Sequence, residues 1–289
     1  YLLRWPDVPA GLTPPSVLRN PRWARPFETM TGMMGLPAQG EADPSVLVAI
    51  LAPLMFGFMF GNVVQGAIVA AVGFWLGRRL PALRLLLPGG LVAIVFGFAF
   101  GSVFAREDVL PPLWLHPLDE PLPVLLAAIG FGVVTIAIGL LLDAVQRAWQ
   151  GTLRHWLLCD AGIVLAYVGI VGAFADRRAL WAVPLGFAWA LAGAAFDSPR
   201  SRAAAVAHVA GESLERVLQL AVNTLSFVRV GAFALAHAGL CAAVVGMAEA
   251  AGPGYWPVLI IGNAAIIALE GLVVSIQTTR LVLFEFFIR

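Results

Sequence analysis

The sequence predicts an all-α, polytopic membrane protein with about eight transmembrane helices. Of its 289 residues, 60% are hydrophobic and only 12% are charged, and the mean hydropathy is +0.89. A soluble domain of this length could not cover so much apolar surface with polar side chains. Long apolar runs bounded by glycine, proline or arginine recur along the chain, and the arginines concentrate in alternate loops. The expected solvent is therefore a lipid bilayer.

The charge and cysteine content exclude several classes of function. A net charge of +1 provides no basic field for a nucleic acid. Cys159 and Cys241 lie far apart in or beside apolar runs, so we expect packing residues, with no disulfide, metal site or cofactor. The chain contains no lysine and hence no phosphate-binding loop of the Gly-x-x-x-x-Gly-Lys kind. Any ATP chemistry is expected on another chain.

The chain divides into three predicted regions. Residues 1–44 contain eight prolines among polar residues, which predicts an irregular cytoplasmic lead-in. Residues 45–200 are predicted to form six scaffold helices, and residues 201–289 to form two helices that carry an ion path. The predicted helices lie at about 46–60, 62–77, 87–104, 122–146, 155–175, 179–196, 203–248 and 255–287.

Helix length distinguishes the first two predicted helices from the last two. At ~1.5 Å per residue the first two runs reach only ~22 Å, which is short of the ~30 Å hydrocarbon core. We expect neighbouring helices to shield this first hairpin. The last two runs are much longer than the ~20 residues that a span needs, so we expect these helices to tilt steeply or to protrude.

Arginine placement predicts the orientation of the chain. If the N-terminus is cytoplasmic, twelve arginines fall on the cytoplasmic side, three on the other side and three inside helices. Short cytoplasmic loops normally hold the excess of positive charge. Both termini are therefore expected to face the cytoplasm.

A short repeat marks two of the predicted helices. The sequence FGFMFG begins at residue 56, and FGFAFG begins forty positions later, at residue 96. Each copy holds two glycines four residues apart, a spacing that lets helix backbones approach closely. The repeat favours helix packing over a ligand site.

The seventh predicted helix carries a polar stripe. Advancing 100° per residue from Glu215 places four more polar side chains within about 40° of the same face. The stripe ends at His237, 22 residues later, and so covers about 33 Å, which is near the thickness of the hydrocarbon core. Its members are Glu215, Gln219, Ser226, Arg229 and His237.

The eighth predicted helix carries a second polar track. Asn263, Glu270 and Gln277 are spaced seven residues apart, and Arg280 follows one turn below Gln277. Because the two helices run in opposite directions, Arg229 and Arg280 are both expected at mid to inner depth. Charged side chains at such depths cost ~2.5–3.5 kcal/mol each, so they indicate a partner or a function.

Titratable side chains lie on both sides of these arginines. His237 and Glu270 are expected nearer the outside, and Glu215 and Glu285 nearer the cytoplasm. This arrangement indicates two aqueous half-paths separated by a fixed positive charge, because arginine stays ionised and cannot relay protons. Two structural alternatives remain open, an ion pair between Glu270 and Arg280 and a simple interhelical hydrogen bond of His237.

Two long motifs carry a family resemblance. Residues 223–240 read NTLSFVRVGAFALAHAGL, and residues 269–281 read LEGLVVSIQTTRL. Both resemble signatures of subunit a, or subunit I, of V-type and V/A-type rotary ATPases, and they occur in that family's order. The resemblance covers about residues 40–289. Asn62, Gln65 and Val282 depart from the Asp, Tyr and His that are frequent there.

The resemblance implies a proton-translocating stator subunit of a rotary ATPase or ATP synthase. It implies that Arg229 and Arg280 face a rotor ring of small subunits, each carrying a membrane carboxylate. It also implies that His237 and Glu270 line the outer half-channel and that Glu215 lines the cytoplasmic one. Peripheral stalks and soluble ATPase subunits are the other expected partners, through an N-terminal half that we expect to be missing here. The expected location is a prokaryotic plasma membrane.

Two other functions are compatible with a membrane bundle. A proton-coupled secondary transporter usually has two halves with broken helices around one midplane site. Here the polar groups concentrate in the last two helices, and the repeat is short. A purely structural scaffold does not explain two charged tracks. Copurification with a small ring protein would separate a stator subunit from a transporter.

Overall fold

The computed structural model describes residues 20–32, 43–104, 110–174, 176–197 and 202–286. In these ranges the chain is all-α, as predicted. Short 3-10 or π turns precede or follow several of the helices. The helices are α1 (Glu28–Gly32), α2 (Ser45–Met59), α3 (Val63–Leu76), α4 (Leu86–Phe100), α5 (Pro121–Trp149), α6 (Leu153–His155), α7 (Ala161–Gly172), α8 (Ala182–Asp197), α9 (Arg202–Ser226), α10 (Val228–Ala250) and α11 (Tyr255–Arg280).

Five helical stretches in the described part of the chain are long and apolar enough to cross a membrane. They are Ala82–Phe100, Pro121–Trp149, Arg177–Phe196, His208–Ala250 and Gly252–Leu283. Three shorter apolar helices, Ser45–Met59, Val63–Leu76 and Trp156–Gly172, fall where further spans were predicted. All eight predicted segments are thus helical, but only five have the full spanning length, so the count of eight spans is not confirmed.

The seventh predicted helix remains one helical stretch, His208–Ala250, as predicted. It is interrupted only at Phe227, between α9 and α10, where the backbone stays in the right-handed helical region (φ −71°, ψ −16°). The Phe227 ring is fully buried and lies over Gly132 of α5, where an added Cβ would come within 2.6 Å of the ring. The ring therefore packs against α5 at the point where the helix is interrupted.

Three further boundaries differ from the prediction. The last α-helix ends at Arg280 and continues as a π turn, Leu281–Phe286. Another π turn, Trp156–Asp160, interrupts the segment that was predicted as one helix over 155–175. Within the lead-in that was predicted to be irregular, α1 follows a 3-10 turn that contains Pro26. Apolar periodicity does not distinguish these local changes of helix type.

The repeat packs α2, α3 and α4 together, as predicted. A Cβ on Gly57 would lie 2.7 Å from the carbonyl carbon of Val92 on α4. A Cβ on Gly97 would lie 2.3 Å from the backbone nitrogen of Val63. Such distances require glycine, because backbone atoms cannot move aside as the end of a flexible side chain can. The first hairpin is thereby held tightly against α4.

Helix α10 lies at the centre of the bundle. It packs against α11 in a helical hairpin, against α5, and against α2. Its buried side includes Val230, Ala234 and His237, and the small residue Gly231 allows close approach of Leu125 on α5. Helices α7 and α8 pair separately and support α9. The central position of α10 places His237 between helices, whereas Glu249 near the end of the helix is exposed.

Candidate ion path

His237 and Glu270 are brought together between α10 and α11. Nδ1 of His237 makes a hydrogen-bonded ion pair with Oε2 of Glu270. The two side chains are only 5% and 14% exposed, and the Phe60 ring lies 4.8 Å from the imidazole ring. A buried carboxylate and imidazole in direct contact can share and exchange a proton. This pair is the most strongly buried titratable group among the predicted site residues.

A buried polar chain continues from this pair towards α3. Sγ of Cys241 lies 3.7 Å from Nε2 of His237 and 3.8 Å from Nε2 of Gln65. The Gln65 amide also donates a 2.7 Å hydrogen bond to Oδ1 of Asn263. Gln65 and Asn263 are 0% and 1% exposed. Side chains of α3, α10 and α11 therefore form one polar cluster around the His237–Glu270 pair.

Asn62 holds the start of α3 in place beside this cluster. Its Oδ1 caps α3 by accepting a 3.3 Å hydrogen bond from the backbone N–H of Gln65. The same oxygen accepts from the N–H of Phe104 (3.2 Å), while Nδ2 donates to Oγ of Ser102 (2.9 Å). Asn62 is fully buried. The cap fixes where Gln65 enters the cluster, one turn into α3.

Arg229 and Arg280 lie on the same side of the His237–Glu270 pair. Arg229 precedes His237 by eight residues on α10, about 12 Å along the axis, and Arg280 follows Glu270 by ten residues on α11, about 15 Å. Because α10 and α11 are antiparallel, the two arginines stand at nearly the same depth. Arg229 is partly buried and Arg280 is exposed.

The polar residues near the arginines differ in their surroundings. Gln277 is partly buried, and its Oε1 has no hydrogen-bond partner among the described residues. Ser226 is partly buried at the end of α9, immediately before the interruption at Phe227. The side chain of Glu285 lies outside the described residues.

A cavity of about 190 Å³ lies between α5, α7 and α9, at the predicted cytoplasmic end. Gln219 and Asn223 border it, together with Asp143 and Asp160. Arg216, another lining residue, donates 2.6 Å hydrogen bonds to Asp160 and to Glu212. The cavity therefore has a charged, hydrogen-bonding rim that can hold water. Glu215 does not line it and is exposed on α9.

Sequence reasoning missed Asn62, Gln65 and Ser102, and it assigned Cys241 only to packing. Asn62 and Gln65 are the only polar side chains from Val46 through Leu76. The cost of burying an unpaired polar group in a membrane predicts that each has a partner, so this signal was available. No comparable signal marks Cys241, because a buried thiol is also an ordinary packing residue.

Within the described residues, no group of three or more His, Cys, Asp or Glu side chains could hold a metal ion.

The fold and these buried charged groups define a class, a polytopic all-α integral membrane protein with polar groups inside its bundle. No family model matches the chain. It is 30% identical over 178 residues to the A-type ATP synthase subunit I of Thermococcus kodakarensis, an alignment that covers 52% of this chain and 27% of the relative. It is 27% identical to the subunit I of Halobacterium salinarum, covering 79% of this chain and 36% of the relative.

A third relative aligns along almost the whole chain. The A-type ATP synthase subunit I of Aeropyrum pernix is 27% identical over 345 residues, covering 94% of this chain and 49% of the relative. The chain is therefore similar to subunit I of A-type ATP synthases along most of its length. It spans about half or less of the length of these relatives.

Proposed function

We propose that this chain is the proton-translocating stator subunit of a V/A-type rotary ATPase or ATP synthase. It provides two offset half-channels to the carboxylates of a rotor ring, and Arg229 and Arg280 separate the half-channels. We expect the protein to lie in a prokaryotic plasma membrane, with both termini of the chain in the cytoplasm. A peripheral stalk and soluble ATPase subunits are the further proposed partners.

The observation that carries the proposal is the buried contact between His237 and Glu270, about 12–15 Å along the helices from the two arginines. A titratable pair at one depth and permanent cations at another are what a half-channel and its barrier require. The contact favours an outer proton path over the alternative ion pair between Glu270 and Arg280, because Glu270 already has a partner.

The polar cluster supports the outer half of the proposed path. Gln65 and Asn263 extend the polar surface from the His237–Glu270 pair towards the predicted outer end of α3. Amide groups can hold water in line with a titratable pair without competing for the proton. In this account Asn62 and Gln65, although they replace residues frequent in the family, still supply a polar wall.

The cavity beside α9 supports the inner half. Gln219 and Asn223 border it on the side of α9 that leads towards Ser226 and the arginines. Arg216 on its rim is paired with Asp160 and Glu212, so charged groups stand at the mouth of an otherwise largely apolar cavity. Asn223 on the cavity wall precedes Arg229 by six residues, which is about two helical turns. A path from this cavity to the depth of Arg229 is therefore short. Glu215 is then an entry residue exposed at the protein surface.

Glu270→Gln tests the outer path. We expect the assembled, reconstituted complex to pump protons much more slowly, because the amide cannot release a proton to His237. The matched control is Glu249→Gln, which makes the same change at an exposed position of α10. ATP-driven acidification of vesicles measures both. If the Glu270→Gln complex pumps at the parental rate, the outer path does not run through this pair.

A further inference from the structure

A second, apolar groove opens between α11 and the helices of the first hairpin. It has a volume of about 450 Å³, within the range of about 300–1,000 Å³ that is usual for small-ligand sites. We call it the inner groove, because most of its lining residues on α3, α4 and α11 lie in the predicted cytoplasmic halves of those helices. Representative lining residues are Ala52, Phe56, Leu86, Gly89, Gly271 and Thr278.

The walls of the inner groove are suited to a hydrocarbon chain. The hydroxyls of Ser275 and Thr279 are both turned back onto their own helix, donating to the carbonyl oxygens of Gly271 (2.6 Å) and Ser275 (2.8 Å). These residues therefore present mainly carbon atoms to the groove. A Cβ added to Gly271 would meet no atom within 4 Å. The glycine thus leaves space that no described residue fills.

One polar group in the groove lacks a partner. Thr278 is only 4% exposed. Its Oγ1 atom is buried and has no hydrogen-bond partner among the described residues. Thr278 lies near the predicted cytoplasmic end of α11, and Ala82 and Leu83 line the same groove. A buried hydroxyl without a partner is costly and indicates an acceptor that the described residues do not provide.

The rim of the same end is strongly basic. The two segments that border it, 20–32 and 77–85, pack against each other and together carry five arginines and one carboxylate, that of Glu28. Arg84 donates to the carbonyl oxygen of Gly77, and Arg78 lies over the Phe74 ring. Within the described residues, Arg78, Arg79 and Arg84 form no ion pair with a carboxylate. Their guanidinium groups remain available to an anion.

We propose that the inner groove binds one anionic phospholipid, with an acyl chain between α11 and the first hairpin and the phosphate at Arg78, Arg79 and Arg84. The unpaired Thr278 hydroxyl donates to an ester carbonyl oxygen of the lipid. Basic pockets between transmembrane helices on the cytoplasmic side recognise anionic headgroups in this way. The lipid fills the space left by Gly271 and joins α11 to the α2–α4 unit. This site does not depend on the proposed proton path.

Native mass spectrometry of the full-length protein, released from nanodiscs of phosphatidylglycerol or of phosphatidylcholine, tests the site. We expect one phosphatidylglycerol to be retained in preference to phosphatidylcholine. The Arg79→Gln/Arg84→Gln variant should lose most of that preference, at about fivefold per arginine. These positions are exposed outside the apolar packing, so the variant is expected to fold.

Gly271→Leu tests the groove itself, since the new side chain occupies the space of the acyl chain. Retained lipid should fall to background, whereas Gly130→Leu, an equally open glycine on α5, should leave it unchanged. Equal retention of both lipids by the parent protein overturns the proposal, and so does an unchanged preference in the arginine variant or unchanged retention in Gly271→Leu. A photoreactive side chain at position 271 that cross-links to another subunit's helix also overturns it.

Discussion

In the polar cluster, replacing the amide of Asn263 should lower the free energy of unfolding more than replacing the amide of Gln65. Asn263→Leu removes the acceptor of the 2.7 Å hydrogen bond from Gln65 while nearly preserving side-chain shape. The Gln65 amide is then left fully buried with only the weak contact to Cys241, because its own Oε1 already has no partner among the described residues. An unsatisfied buried group costs about 1–3 kcal/mol. We therefore expect Asn263→Leu to lower the free energy of unfolding by that amount.

Gln65→Leu should cost less than Asn263→Leu. It leaves Oδ1 of Asn263 without its donor, but it also removes the unsatisfied Oε1 of Gln65, and these two effects offset each other. In the Gln65→Leu background, Asn263→Leu should then cost little. Double-mutant cycles in membrane proteins give about 0.6 kcal/mol on average and about 1.7 kcal/mol at most. We expect a coupling energy in that range.

Reversible unfolding of the purified protein in mixed detergent–SDS micelles provides the assay. The parent, both single variants and the double variant complete the cycle, and Gln219→Leu serves as an exposed control that should show no loss of stability. The reasoning is refuted if the two substitutions are additive within about 0.3 kcal/mol, or if Gln65→Leu is the more destabilising single change.

Two further predictions concern the helix packing and the lead-in. Gly97→Leu should destabilise the protein by about 3 kcal/mol, the upper end for overpacking, because its Cβ would lie 2.3 Å from the Val63 nitrogen. Gly130→Leu is the control. Equal unfolding curves for the two variants would contradict the close packing at Gly97. Partial burial opposes ionisation of Asp43, but hydrogen bonds from Ser45 and Asn20 lower its pKa below the ordinary 3.8. The Asp43 carboxylate should therefore stabilise the protein at neutral pH and lose that effect as pH falls below about 3.8. A stability deficit of Asp43→Asn that persists at low pH would contradict this.

Much of the fold follows from the sequence because its signals are strong in a membrane. Apolar runs place the helices, and the glycine pairs at 57/61 and 97/101 predict close helix packing, which the structure has between Gly57 and α4 and between Gly97 and the start of α3. The contact of the buried Phe227 ring with Gly132 could not be predicted, because the two residues lie on distant helices. Local propensity contains no information about that contact.

The candidate site could be predicted only in part. Helical spacing placed His237 and Glu270 at one depth, and the structure brings them into contact. The same spacing placed Glu215 and Gln219 on one stripe, but only Gln219 borders the inner cavity. The contribution of α3 depends on how the first hairpin packs against α10 and α11. The apolar periodicity of one helix does not predict how three helices pack together.

The proposed function makes its most direct claim about Arg229, the partly buried cation that stands between the cavity beside α9 and the His237–Glu270 pair. The test measures ATP hydrolysis and proton pumping together in reconstituted complexes that carry Arg229→Ala. Complexes that carry Arg229→Lys are measured in the same way. Without a permanent charge at this position a ring carboxylate could pass still protonated, so we expect pumping to be abolished in the alanine variant. Lysine should be strongly impaired as well, because it lacks the planar guanidinium and deprotonates more readily when desolvated. An assembled Arg229→Ala complex that pumps with the parental ratio of protons to ATP would contradict the account.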